Sequence, residues 1–413
     1  MDPREIGFLL NIPKDEHDYG ALVRDAALQS RVKETIEALT PPLVQYRMLR
    51  SMLSRYRALA EDKTLPPLLP AMAGAVKPGD AAPGLDRLRS RLVAFGDLTA
   101  VTPPPSDPGV YEGALVLGVK RFQTRHGFED DGVLGKKTRA ALEVPLGGRV
   151  RQIELAMERM RWLPHLGERA FVAVNIPMFR LWGWDRVPET GAPEFEMGVI
   201  VGKALNTRTP VFVEEMEYVI FQPHWNVPRS ILQTEILPIL RRDPDYLARQ
   251  DMEVVDGQSD SAKPVPPTSE NLNRLARGEL RLRQRPGPKN ALGGVKFMFP
   301  NDEHVYLHST PAPELFGRAR RDFSHGCVRV EDPVGLAVWA LQDQPEWTRE
   351  RITAAMKGGT PSLKAPLTRP IRVVLYYVTA AVIPRDGAIH FAEDIYAQDP
   401  LLDEALAARR KSS

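Results

Sequence analysis

A chain of 413 residues with 43% apolar content has length for two or three domains, each able to bury a core without disulfide or metal staples. Its 55 basic and 53 acidic residues leave a net charge of +2, which excludes any chain-wide electrostatic case for nucleic acid or an anionic membrane. Proline, 38 residues or about 9% against a usual ~5%, predicts stiff linkers, and the single cysteine, Cys327, excludes an internal disulfide.

In chain order, the apolar run Ile6 to Ile12 is too short for a leader and is flanked by Asp2 and Glu5, and no stretch approaches the ~20 apolar residues of a membrane span. Between Val32 and Leu59, the positions Tyr46, Leu49, Leu53 and Tyr56 step by three and four and predict one helical stripe. Proline- and glycine-rich segments at 66–84 and 102–108 mark boundaries. Residues 108–148 then read as a small helical module, with Leu115, Val119 and Phe122 in phase, the turn HGFEDDG, and a second helix carrying Thr138, Ala141 and Leu142. Lys136, Lys137 and Arg139 read as a solvated face. Val150, Ile153, Met157 and Met160 resume a stripe, so residues 1–107 and 149–165 read as one helical scaffold interrupted by the module.

From Phe171 the texture becomes β-rich, predicting a mostly β domain over 166–385 with strands returning at Val295 to Phe299, Val305 to His308 and Arg372 to Val378. The stretch 228–287 breaks the pattern, helical at first and then the loop SDSAKPVPPTSE, and reads as a capping insertion. Residues 386–413 read as a C-terminal tail whose last stretch, LLDEALAARRKSS, frays. The fold class is multidomain α+β.

Residues 301–333 gather three of the eight histidines beside the only cysteine. A thiol with a free pKa near 8.5 is only ~3% ionised at neutral pH, so a nucleophilic cysteine needs a neighbouring base, and histidine is the usual one. His308 ends one predicted strand and Cys327, 19 positions on, opens another, so a hairpin-like return would bring them together. Strand parity places His304, Tyr306 and His308 on one face, and Cys327 and Arg329 on one face. The Ser324-His325-Gly326 turn puts glycine where backbone must approach a substrate, and its amides with that of Cys327 are candidate oxyanion donors. Asp332 and Pro333 read as N-cap and first residue of a helix. A lone cysteine is more often a small buried hydrophobe, and only the clustering outweighs that. Zinc on His304, His308, His325 and Cys327 is disfavoured, because strand residues four apart are separated by roughly 13 Å.

His308, residues 309–323 and then Ser324-His325-Gly326-Cys327 resemble the signature of the L,D-transpeptidases of bacterial cell walls. KRFQTRHGFEDDGVLGKKTRAAL resembles the family's peptidoglycan-binding module, and VGKALNTRTPVF and HWNVPRSI its long, scaffolded branch. The resemblance implies a β-sandwich-like catalytic domain of the YkuD type. It also implies Cys327 as nucleophile, His308 as general base, His325 in support, and the Gly326 and Cys327 amides as oxyanion hole. Tyr306, Trp225, Ser324 and Arg329 are implied substrate contacts, and Ser309 stands where many relatives have Gly or Asp. Neither metal nor organic cofactor is implied. The implied partner is peptidoglycan, with carbapenem acylation of Cys327, and the implied place is the periplasm, its leader absent from this chain. A hydrolase using the same thioester and a non-catalytic wall-binding protein are the rivals.

Overall fold

The structure, a computed structural model, describes residues 3–7, 18–65, 70, 74–101, 107–163, 166, 169–186, 192–204, 207–243 and 245–412. Most of the early apolar run lies outside the described residues, as do 66–69, 71–73 and 102–106 of the two proline-rich boundaries.

Helices α1 (Tyr19–Leu28) and α2 (Val32–Ala38) lead into α3 (Val44–Glu61), where Tyr46, Leu49, Leu53 and Tyr56 are buried along the expected stripe. Helices α4 (Leu85–Phe95), α5 (Gly113–Arg125) and α6 (Lys136–Glu143) share one apolar cluster built on Leu88, Leu92, Val119, Phe122 and Leu142. The small module therefore begins well before residue 108. Two short amphipathic helices leave part of each stripe open, and α4 closes it. The bridges Val76 to Leu134 and Ala81 to Val110 tie the preceding chain to the same unit.

A buried ion pair locks this module: Arg125 Nε and Nη2 meet Asp97 Oδ1 and Oδ2 at 2.5 and 2.6 Å. Removing one partner strands a buried charge, so Asp97→Ala is expected to cost about 3–5 kcal/mol in denaturant titration. A loss under ~1 kcal/mol is what a solvated pair would give.

Helix α7 (Leu146–Arg161) returns against α3, and their shared cluster also takes Phe171, Trp182, Val374 and Tyr376 from the β domain. The helical scaffold is thus cemented to the outer face of the sheet. That sheet contains β1 (Phe171–Asn175), β2 (Arg180–Trp184), β3 (Phe195–Gly202) and β4 (Phe212–Phe221). After an insertion it resumes with β9 (Val295–Met298), β10 (Leu307–His308), β11 (Asp322–Ser324), β12 (Val328–Val330) and β13 (Leu363–Tyr376). The order is β11-β3-β12-β10-β9-β4-β13-β1-β2, and β2 also pairs with β3, so the sheet closes on itself. Val172, Leu181, Val199, Val219, Phe297, Leu307, Val328 and Val373 fill its interior. Because side chains alternate, the residues between them point outward, and on β9, β10 and β12 those include Lys296, His308 and Arg329.

The insertion is more than a flap with a loop. It holds β5 (Trp225–Asn226), β6 (Met252–Asp256), β7 (Lys263–Val265) and β8 (Arg281–Gln284) in a sheet of order β5-β8-β6-β7. With α8 (Ser269–Arg277) and a helical run that includes the π-helical Leu232–Ile236, it encloses its own core around Leu240, Val254, Leu275 and Leu282. The predicted loop SDSAKPVPPTSE contains β7, whose Val265 pairs with Val254.

Helix α9 (Pro333–Ala340) starts as predicted, with the Asp332 carboxylate accepting from the Gly335 amide at 2.8 Å, and packs near α10 (Arg349–Lys357). The expected fraying tail is instead ordered. β14 (Ala380–Val382) pairs with β15 (Ile389–Phe391), and α11 (Gln398–Ser412) buries Leu402 completely. Polar LLDEALAARRKSS hides one apolar stripe, and Asp399 and Asp403 dock on Arg159 and Arg151 of α7. Among the described residues no helix is long and apolar enough to cross a membrane.

Candidate active site

His308 and Cys327 come together across parallel strands, not a hairpin. β10 pairs with β12 with Leu307 opposite Val328 and His308 opposite Arg329, and the Val328 amide donates to the Tyr306 carbonyl at 3.1 Å. The residues between make a crossover through the 3-10 turn Pro313–Gly317 and β11. β9 adds Lys296 opposite His308 on the other side. One outward row therefore reads Lys296, His308, Arg329, and two residues back along each parallel strand Tyr306 stands beside Cys327. Cys327 and His308 are diagonal neighbours, a separation of roughly 7 Å between Cβ atoms.

His308 is buried, and its Nδ1 lies 2.5 Å from the Ser309 carbonyl. A carbonyl only accepts, so Nδ1 carries the proton and Nε2 is left as the basic nitrogen. Burial, reinforced by the Arg329 and Lys296 charges, holds the imidazole pKa down at about 3 against the pull of the Ser309 and Leu292 carbonyls. The resting ring is neutral. Burial likewise pushes the Cys327 thiol up, opposed by hydrogen bonds from Tyr306 and by the charges of Lys296 and Arg329. The thiol donates to the His304 carbonyl at 3.8 Å, and no hydrogen bond joins it to His308 among the described residues. His304 itself sits at φ +53°, outside the strand, so the parity that put it on the row of Tyr306 and His308 does not apply to it.

The Ser324–Cys327 turn is held from within. Ser324 Oγ donates to the Cys327 carbonyl at 2.5 Å and accepts the Gly326 amide at 3.2 Å, and the residue is buried. Its hydroxyl therefore serves the turn, a different task from the substrate contact expected of it. Of the two amides expected at the oxyanion hole, that of Gly326 is engaged by Ser324, and that of Cys327 donates to no described acceptor. Gly326 stands at φ +109°, where a side chain is strained whatever the space around it. From below, Thr209 Oγ1 donates to the Gly326 carbonyl at 2.7 Å and accepts the Gly202 amide at 2.9 Å. Tyr396 completes this support, its hydroxyl donating to the Gly202 carbonyl and accepting the Thr209 amide.

Against models of known families, residues 169–361 match the description "L,D-transpeptidase catalytic domain" and residues 82–142 match "Putative peptidoglycan binding domain". Residues 169–361 thus carry an L,D-transpeptidase catalytic domain of the YkuD type. A Haemophilus influenzae protein named "Putative L,D-transpeptidase" is 32% identical over 249 residues, which is 60% of this chain and 48% of that one. The chain thus spans about half the length of that relative. A solved L,D-transpeptidase structure from Xylanimonas cellulosilytica matches at 16% identity over 74% of this chain and all of that one, with a TM-score of 0.22, too slight a likeness to carry any inference.

Within the L,D-transpeptidase domain, the expected site residues divide by place. Tyr306, His308, Cys327 and Arg329 share the outward row. His325 is turned toward the capping insertion, its Nε2 2.6 Å from Glu235 Oε1 on the π-helical segment. Trp225 lies in β5, partly buried against the insertion's own core. Ser309 acts on His308 through its carbonyl, and its side chain lies against Gly293, where an added Cβ would come within 2.6 Å of Ser309 Oγ. Lys296, Thr209, Glu235 and Tyr396 went unnoticed in the sequence. For Lys296 the signal existed, since VKF places a lone cation on an outward position of a predicted strand. A cavity of about 710 Å³ lies away from the thiol, between the small module, residues 177–180 and 319–321, and the β14–β15 region.

Proposed function

We propose that this protein is a cysteine-dependent L,D-transpeptidase that crosslinks peptidoglycan stem peptides outside the cytoplasm, in the periplasm. The observation that carries the reading is the single outward row of the catalytic domain, on which the only cysteine of the chain stands diagonal to a buried, neutral histidine. In this mechanism His308 Nε2 takes the thiol proton as Sγ attacks the carbonyl on the L-centre of diaminopimelate in a donor tetrapeptide. The tetrahedral oxyanion forms against the free Cys327 amide, and its collapse expels D-alanine with the proton that His308 holds. A thioester remains, and the amine of a neighbouring stem resolves it. The capping insertion, tied to the motif by Glu235 and His325, limits water at the thioester so that aminolysis competes with hydrolysis. Neither metal nor organic cofactor enters these steps. Carbapenems, as acylating agents, react at the same sulfur.

Hydrolysis of the same thioester gives an L,D-carboxypeptidase or endopeptidase, and a wall-binding protein without activity gives no thioester at all. Incubation with disaccharide-tetrapeptides separates the three. Crosslinked dimers with an intermediate lighter by one alanine are the expected products, tripeptides alone indicate the hydrolase, and unchanged substrate with no carbapenem adduct indicates the binding protein.

A further inference from the structure

Two cations flank the thiol, and neither has an anionic partner among the described residues. Lys296 Nζ lies 3.7 Å from the centroid of the Tyr306 ring, and Arg329 stands across His308 from it. Both are half-buried, neither makes an ion pair among the described residues, and the Arg329 Nε is buried without a hydrogen-bond acceptor. Buried cations are normally paired, since an unpaired one forfeits its hydration for nothing. The remaining carboxylate acting on Lys296, Asp260 of the insertion, does so from beyond ion-pair distance. Every other group on the row is neutral at rest: Tyr306, the His308 imidazole and the thiol. Two cations with no counter-charge, facing outward beside a nucleophile, make a place for an anion.

We propose that Lys296 and Arg329 form a carboxylate-binding subsite beside Cys327, which takes the free carboxylate of the residue that leaves the donor stem. The assignment of that carboxylate to the leaving residue rests on the transpeptidase reading; the subsite itself does not. A carboxylate there completes the hydrogen bonding of Arg329, and a planar guanidinium suits it. It also relieves His308. The same two charges that favour a thiolate oppose an imidazolium, so a bound carboxylate makes the ring more basic when substrate is present. Lys296 and Arg329 thereby select donors that end one residue beyond the scissile bond.

The chain's single cysteine makes the test direct. Iodoacetate and iodoacetamide alkylate the same sulfur, which displaces iodide to form the S–C bond while the thiol proton goes to solvent. Only the first carries a carboxylate. For the native protein the ratio of the iodoacetate rate to the iodoacetamide rate is expected to exceed that of free cysteine by about tenfold, the scale of one charge-assisted hydrogen bond. Lys296→Met and Arg329→Gln should each bring the ratio most of the way back. A native ratio equal to that of free cysteine overturns the subsite without recourse to any variant. Both reagents slowing equally in the variants also overturns it, since that is thiolate stabilisation alone. Neither result depends on crosslinking activity. A second arm compares a tetrapeptide donor with its C-terminal D-alaninamide analogue. Slower acylation by the amide, again about tenfold, supports the assignment to the leaving residue, and equal rates with a raised alkylation ratio overturn that part alone.

Discussion

Cys327→Ala is expected to abolish the acyl-enzyme entirely, and His308→Ala to slow its formation by about 10²–10⁴-fold, the usual worth of a positioned base. Intact-mass kinetics with a carbapenem or a tetrapeptide donor reads both. The two variants differ in a useful way. Without Cys327 there is no other sulfhydryl in the chain to be acylated, so any residual adduct would deny that residue the nucleophile's place. Without His308 the thiol remains, and raising the pH should recover rate as the thiolate forms unaided. The recovery should be slow at first, because burial pushes the thiol pKa up.

His308 also carries a pH signature. In the unfolded chain its imidazole titrates near 6.5, whereas the folded ring, held at about 3, stays neutral over the interval between. There the unfolded state binds the extra proton, so stability rises with pH from about 3 to 6.5 and falls as acid is added, by up to ~1.4 kcal/mol per pH unit for this group. His308→Gln should flatten that slope. The same neutrality predicts that acylation does not halve near pH 6.5 but stays level down to about pH 5. A half-loss at 6.5 would mean that the ring is solvated and charged at rest.

The arrangement of this candidate site was legible where it is local. Four consecutive residues, a histidine at fixed distance, and a capped helix after them are written in one stretch, because the proposed nucleophile, its turn and the helix that anchors it are covalently continuous. What stayed hidden comes from elsewhere in the chain. Thr209 supports the Gly326 carbonyl from 117 residues away, Glu235 meets His325 across 90, and Tyr396 reaches Gly202 across 194. No periodicity marks such partners, since each is a single polar group facing one backbone atom. The same limit explains the parallel pairing of β10 and β12. Parity assigns a face to each residue but is silent on strand direction, and a crossover of loop and short strand carries no signal distinct from a long turn. The C-terminal helix was missed for the opposite reason: its polar residues are conspicuous, and its buried stripe centres on Leu402.

Gly326→Ala should separate backbone geometry from thiol chemistry. At φ +109° an alanine is strained by about 1–3 kcal/mol, although the nearest atom to its Cβ, the Arg208 carbonyl oxygen, is 3.7 Å away. The cost is therefore conformational and not a clash, and the turn relaxes it by rotating the peptide that joins residues 326 and 327. That peptide bears the Gly326 carbonyl, held by Thr209, and the Cys327 amide, the one oxyanion donor left free. Rotation aims the amide away from the developing charge, and acylation is expected to fall by about 10²–10³-fold, the loss typical of one such donor. Alkylation of the thiol by iodoacetamide, which develops no oxyanion, should change less than about threefold, well short of that donor's worth. A drop in both reactions together would instead place the effect at the sulfur, and an unchanged acylation rate would remove the Cys327 amide from the mechanism.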